Sequence, residues 1–285
     1  MSDRFTVALA QISPRLADVE TNLGTYREQV REAVALGADL LVFPELSLTG
    51  YHLKDDVSEV ATRLDGPVAK ELRELSRGTA FVAGLVEESP DFQFYNSAVW
   101  FEDGEIRHVH RKVYLPTYGM FDENRYFARG NRIAAHDASV ARVATLVCED
   151  FWHPSTSYLA ALDGALGIVC PSSSPAQGMA EGRDSDENAR TWELFTRATA
   201  QVYGLFVFYA NRVGFEDGVG FWGGSEIVGP DGEVLVKAPY YETALVCAEV
   251  DLAAVRRRRI AAPVLRDEDA DLTARELARI LGSRK

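Results

Sequence analysis

Apolar runs rich in β-branched and aromatic residues alternate with segments of helical period along most of the chain. Residues 5–11 predict a strand. Over 22–36, Leu23, Tyr26, Val30, Ala33 and Val34 share one helical stripe, which Gly37 ends. Residues 39–43 are short and almost wholly apolar, as a strand covered on both faces requires. A helix over 67–77 and a strand over 80–87 follow, and then a hairpin over 97–112 that turns at Glu102-Asp103-Gly104. Further on, the pattern predicts strands over 142–147, 166–170, 205–210 and 244–250. It also predicts helices over 155–162, 184–203 and 272–281, and a second hairpin over 225–236 around Pro230-Asp231-Gly232. Mixing βα units with hairpins implies an α/β chain with mixed sheets and helices on their outer faces. No linker, repeat or low-complexity stretch marks a boundary, so 1–285 is expected to be a single domain.

The charge balance narrows the partners. Forty-three acidic against 30 basic residues give a net charge of −13. Such a surface repels phosphate backbones and anionic lipid, so neither nucleic acid nor membrane is an expected partner. No run approaches the ~18 apolar residues of a membrane span. Met1-Ser2-Asp3-Arg4 leads straight into a strand, and the three cysteines are odd in number and dispersed. A reducing, cytoplasmic location is therefore expected. The basic run from Arg256 to Arg259 reads first as a solvated helix face or a cap for Asp267, Glu268 and Asp269. A contact with an acidic neighbouring subunit is the sharper alternative.

Three places put a reactive side chain at the end of a strand-like run, where loops present functional groups. Glu45 follows Leu40-Leu41-Val42-Phe43-Pro44; a carboxylate there can gain basicity from dry surroundings, although an isolated one is more often a cap. Lys112 ends the first hairpin, and alone would read as a surface charge. Cys148 stands where Thr145-Leu146-Val147 gives way to Glu149-Asp150-Phe151-Trp152, whereas Cys170 and Cys247 sit in or beside apolar runs as small buried thiols do. A thiol attacks a carbonyl effectively as thiolate. It needs a proton acceptor and a positive group for the oxyanion that follows. An acid, a lysine and a cysteine meet those needs without histidine. His108 and His110 alternate on one strand and would share a face; lacking further ligands at metal spacing, they read as surface histidines.

Three ordered motifs now carry a resemblance: Pro-Glu-Leu-Ser-Leu-Thr-Gly-Tyr at 44–51, Arg-Lys-Val-Tyr-Leu-Pro-Thr-Tyr-Gly-Met-Phe-Asp-Glu-Asn-Arg-Tyr-Phe at 111–127, and Val-Cys-Glu-Asp-Phe-Trp at 147–152. With Ala8-Leu9-Ala10-Gln11 and the stretch from Asn211 to Ser225, the chain from residue 5 to about 250 resembles the nitrilase, or carbon–nitrogen hydrolase, superfamily. It looks closest to the glutaminase domain of glutamine-dependent NAD synthetases. The resemblance implies a four-layer α-β-β-α sandwich, assembled into a homodimer or larger homo-oligomer, with 251–285 as an extension at the interface. It implies Glu45 as general base, Lys112 as oxyanion-stabilising cation, Cys148 as nucleophile, and Glu123 orienting the lysine. The main-chain N–H of Glu149 would be a second oxyanion donor. Tyr51, Tyr118, Glu149, Trp152 and Ser174 would line the substrate pocket. No metal or organic cofactor is implied.

The sequence departs from that pattern in two places. Nothing after residue 250 is expected to have room for an ATP-using synthetase domain, and no glycine-rich phosphate loop is present, so if ammonia is delivered to a synthetase, a separate polypeptide is expected to receive it. Cys170 to Gly178 keeps a Ser-Pro pair but is altered beyond it, where Arg183 could receive a substrate carboxylate. Of the aromatics, Trp192 and Phe221 read as packing, and Tyr118, Phe121, Trp152 and Trp222 as pocket wall. Three functions stay open: an amidohydrolase of a small linear carboxamide or N-carbamoyl compound, a glutaminase subunit feeding a separate synthetase, and a silent binding module. Nitrile hydrolysis ranks below amide cleavage.

Overall fold

The computed structural model describes residues 3–176 and 185–284. Its strands, in chain order, are β1 (Arg4–Gln11), β2 (Leu40–Val42), β3 (Thr62–Arg63), β4 (Ala80–Glu88), β5 (Phe94–Glu102), β6 (Glu105–Arg111), β7 (Ala135–Asp137) and β8 (Arg142–Thr145). They continue with β9 (Gly167–Ser172), β10 (Phe206–Asn211), β11 (Val213–Glu216), β12 (Val219–Trp222), β13 (Glu226–Val228), β14 (Val234–Lys237) and β15 (Ala244–Asp251). One sheet has the order β15-β1-β2-β4-β5-β6, with β3 alongside β4. There β1, β2 and β4 are parallel, and β5, β6 and β15 add antiparallel rims. The second sheet, β14-β13-β10-β9-β8-β7, repeats the plan around parallel β8, β9 and β10. The ribbon β11-β12, short β3 and short β7 lay below the strand signal of the sequence.

Alternation along β1 shows why the layers form. Val7 and Leu9 join a core with Ile168, Phe206 and Val207 of the second sheet. Ala8 and Ala10 point the other way, into a core with Leu23, Tyr26, Val30 and Ala33 of helix Val19–Ala35 and Leu72 of helix Pro67–Leu75. Helices Pro154–Leu162 and Ser185–Tyr203 cover the second sheet through Ala160, Trp192 and Ala200. The result is a four-layer α-β-β-α sandwich. Among the described residues no helix is long and apolar enough to cross a membrane.

Functional loops leave this frame at strand ends. Beneath the loop after β2, Phe43 stacks on Tyr26 at 3.8 Å and meets Phe81 edge-on at 5.9 Å; such pairs add about 0.5–1.5 kcal/mol beyond their area. The Tyr26 hydroxyl bonds Ser47 Oγ at 2.7 Å, tying that loop to the outer helix. The loop also crosses β4 so closely that a Cβ on Gly84 would lie 2.2 Å from the Pro44 carbonyl oxygen and 2.6 Å from the Leu46 nitrogen.

Three sequence expectations are corrected by packing. His110 is not a surface residue but is buried against Asp150, and His108 is half-buried, stacking on His136 with ring centroids 4.1 Å apart. The arginines on helix Ala253–Ala261 do not cap Asp267, Glu268 or Asp269. Arg258 donates to the Gln201 carbonyl, Arg259 to those of Gly204 and Ala165, and Arg257 pairs with Asp251. Arg258 and Arg259 thus satisfy carbonyls at the C-terminal end of helix Ser185–Tyr203, where cations are favoured, while Arg257 lies on an exposed face as the first reading had it. Trp222 lies in the core between Tyr209 and Tyr240 rather than in a pocket wall.

The contact at Gly84 yields a prediction. Gly84→Ala should cost about 1–3 kcal/mol, as overpacking of a close-packed interior does, because backbone rather than a flexible side chain must move. Urea denaturation measures it; a change within ~0.5 kcal/mol, the ordinary surface effect, would contradict the close approach.

Candidate active site

Glu45 follows β2, Lys112 follows β6, and both strands run in the same sense, so both residues emerge at one sheet end. Cys148 follows β8 in the facing sheet. Distance in sequence therefore becomes proximity in space, as at the carboxyl ends of other open α/β sheets.

The centre is a buried ammonium between two carboxylates. Lys112 Nζ donates to Glu45 Oε1 at 2.6 Å and to Glu123 Oε1 at 2.7 Å, with Lys112 and Glu45 side chains fully enclosed. Other donors complete the acids. Asn96 Nδ2 donates to Glu45 Oε1 at 2.8 Å, the Ser173 N–H to Glu45 Oε2 at 2.9 Å, and the Tyr51 hydroxyl to Glu123 Oε1. Burial by itself would favour a neutral amine, but Glu123 and Glu45 more than offset it and hold the lysine pKa well above its ordinary value. Burial raises Glu123 to about 7, with Lys112 pulling down and Glu45 pushing up.

Cys148 occupies a turn with φ +45° and ψ −101°, a combination that L residues rarely adopt. Its N–H donates to the Pro171 carbonyl and its carbonyl accepts from the Phe151 N–H, both at 2.9 Å, which holds the strained turn. Ser172 Oγ bonds its Sγ at 3.4 Å. Burial pushes the thiol well above its ordinary pKa; Glu45 pushes it further up and Lys112 pulls down. Cys170 is also buried and raised, but sits within β9.

A small cavity of about 30 Å³ opens beside Cys148, lined by Tyr118, Phe121, Glu149, Trp152, Ser174, Pro175, Asn188 and Trp192. That volume admits roughly two water molecules or a group of carboxamide size. Glu149 accepts from the Tyr118 hydroxyl at 2.7 Å, and burial raises its pKa. Among the described residues the lining contains no lysine or arginine.

The family model for carbon–nitrogen hydrolases matches residues 6–260. The chain belongs to this family. It is 32% identical over 259 residues to a glutamine-dependent NAD(+) synthetase of Acinetobacter baylyi, an alignment covering 90% of this chain and 46% of that protein. The chain thus spans less than half the length of that relative. A carbon–nitrogen hydrolase from Helicobacter pylori superposes with a TM-score of 0.87 at 26% identity, covering 96% of this chain and 98% of that one. A mutant amidase from Nesterenkonia sp. AN1, with the acetamide moiety of fluoroacetamide added covalently at its active-site cysteine, gives 0.80 at 26% identity, covering 95% and 96%.

Of the residues singled out in the sequence, Glu45, Lys112 and Glu123 are in direct contact, and Cys148 lies within reach of their charges. Tyr118, Glu149, Trp152 and Ser174 line the cavity. Tyr51 does not; its hydroxyl bonds Glu123. Trp192 both packs on Tyr209 and reaches the cavity, so the packing reading was incomplete, whereas Phe221 is core. Arg183 lies outside the described residues. Among these, no group of three or more His, Cys, Asp or Glu is arranged to hold a metal.

Sequence reasoning missed Asn96, Ser172, Ser173 and the pair Arg212–Glu216. Burial favours a neutral Glu216 carboxyl, but bonds from His52 and Arg212 outweigh it and hold the pKa down to about 2. Its Oε1 accepts from the Tyr51 and His52 N–H groups at 2.7 Å, and its Oε2 from Arg212 at 2.6 Å, fixing the segment that carries Tyr51. The available signals were a polar Asn96-Ser97 pair inside a largely apolar strand and three hydroxyls in a row after β9's apolar run.

The Glu123 shift predicts a pH dependence. A carboxyl raised from 4.5 to about 7 binds its proton more tightly folded than unfolded, so its contribution to stability declines as pH rises through that window. The stability of wild type minus that of Glu123→Gln should therefore fall between those two values. Urea titrations across pH measure it; a pH-independent difference would contradict the shift.

Proposed function

We propose that the protein hydrolyses a small linear carboxamide or N-carbamoyl compound through a thioester on Cys148, releasing ammonia. The observation that carries this reading is the buried Glu45–Lys112–Glu123 contact near a buried cysteine on a strained turn. As sulfur attacks the carbonyl carbon, its proton passes to Glu45. Lys112 and the Glu149 N–H stabilise the oxyanion. Glu45 then returns the proton to the departing nitrogen, breaking the C–N bond and leaving the acyl group on sulfur. A water deprotonated by Glu45 attacks the thioester, and the thiol is reformed as the acid departs. Glu123, bonded by Tyr51, keeps Lys112 charged and in place.

Glu123 Oε2 and Asn96 Oδ1 are buried without a hydrogen-bond partner among the described residues. Such acceptors cost about 1–3 kcal/mol each, a cost that a substrate N–H or a water would relieve. The Glu149 carboxylate at the aromatic cavity favours a substrate with a neutral or cationic head. A panel of ω-amides, ureido compounds, simple carboxamides and nitriles, read by ammonia release, tests this proposal. Cys148→Ala should lower turnover by at least ~10³-fold, as loss of a nucleophile does; a panel with no compound that separates wild type from this variant would sink it.

A second reading, a glutaminase subunit that supplies a separate synthetase, draws on the similarity to NAD synthetases. Glutamine turnover that rises when a synthetase is added is its expected signature, and brisk turnover of glutamine-unlike amides alone argues against it. For either reading we propose a homo-oligomer with residues 251–285 at the contact, since helix Ala270–Gly282 exposes Leu272, Leu277 and Leu281. Light scattering should give more than one chain per particle, and a monomer after deletion of 270–285.

A further inference from the structure

Asp150 has no part in the chemistry above, yet its carboxylate is fully buried and accepts four hydrogen bonds. Oδ1 accepts from the N–H groups of Val113 and Tyr114, each at 2.9 Å. Oδ2 accepts from the Val147 N–H at 3.1 Å and pairs with His110 Nε2 at 2.8 Å. These donors bracket the reactive residues. His110, Val113 and Tyr114 flank Lys112, while Val147 precedes Cys148. We propose that Asp150 is a positioning residue that sets the separation of Lys112 from Cys148, with His110 fixing the rotation of its carboxylate.

The case rests on where the regular structure stops. β6 ends at Arg111 and β8 at Thr145, so Lys112 and Cys148 both lie just beyond their sheets. Lys112 retains a main-chain bond to the Asn96 carbonyl, and Cys148 one to Pro171, but each of these anchors a loop only to its own sheet. Asp150 joins the two loops to each other. Its carboxylate suits that task, because an ionised acid offers about four acceptor sites and strong charge-assisted bonds to N–H groups. Displacement of a reacting group by 1 Å can cost on the order of 10²-fold in rate. A loosened joint should therefore appear in the reactivity of the sulfur before it appears in the fold.

The proposal rests on the reading of Cys148 as nucleophile and Lys112 as its cation, and the test separates the two. Iodoacetamide alkylation of the full chain is followed against pH, with Cys148→Ser as the blank for Cys170 and Cys247. Lys112→Met should raise the midpoint of the alkylation profile; an unmoved midpoint sinks the catalytic reading and this proposal with it. Asp150→Asn keeps the size of the side chain but turns a donor toward one pair of N–H groups. It should slow alkylation near neutral pH by about 10- to 100-fold and raise the midpoint. Amide turnover should lose kcat with KM unchanged. His110→Gln, which can still donate, should keep most of the reactivity that His110→Leu loses. Leu72→Ala, a core change in the outer helix layer, controls for lost stability. The proposal is overturned if Asp150→Asn moves no midpoint while Lys112→Met does, or if Leu72→Ala shifts the midpoint equally. Should Asp150→Asn fail to fold, equal profiles for the Gln and Leu variants at position 110 overturn it.

Discussion

One enclosed ammonium organises the molecule. Removing Lys112, Glu45 and Glu123 from water is costly, and such a cluster is tolerable only with good geometry and satisfied lone pairs. Asn96, Ser173 and Tyr51 supply that satisfaction from three further segments. The charge count also has a chemical consequence. Burial and then Glu45 raise the Cys148 thiol above its ordinary pKa, and the one cation between two acids offsets them only in part.

The fold makes this cluster affordable by delivering its members rigidly. Glu45 sits on a loop pinned between an aromatic stack below and β4 beside it, where Gly84 alone leaves room for the backbone. Lys112 lies at the mouth of a long hairpin, and Cys148 on a turn held out of the usual backbone regions by hydrogen bonds to the segment after it and to β9. Strain of this kind persists where surroundings over-determine it. Ser172 and Ser173, adjacent in the chain, bond the Cys148 sulfur and the Glu45 carboxylate respectively, which links the two through a single strand end.

Selectivity is a separate layer. The cavity walls come from the loop carrying Tyr118 and Phe121, the short helix with Glu149 and Trp152, and the long helix with Asn188 and Trp192. None of these walls holds Lys112 or Glu45. The cavity lining can therefore change without touching the contacts of Lys112.

Sequence pattern by itself determined an α/β chain of mixed sheets with outer helices, because alternation and helical period are local, while the pairing of two sheets was implied by the family resemblance. It also singled out Glu45, Lys112 and Cys148, since each stands where an apolar run meets polar loop chemistry, and the structure gathers the first two into direct contact. Pairing lay beyond it. Asn96, Ser173, Asp150 and Glu216 look like ordinary polar residues until the sheets bring their partners within 3 Å. The histidines on β6 and the arginines near 258 were misplaced for the same reason: exposure follows from what the neighbouring layer covers. Only tertiary structure decided those roles, because a hydrogen bond between distant residues depends on a separation that no local pattern encodes.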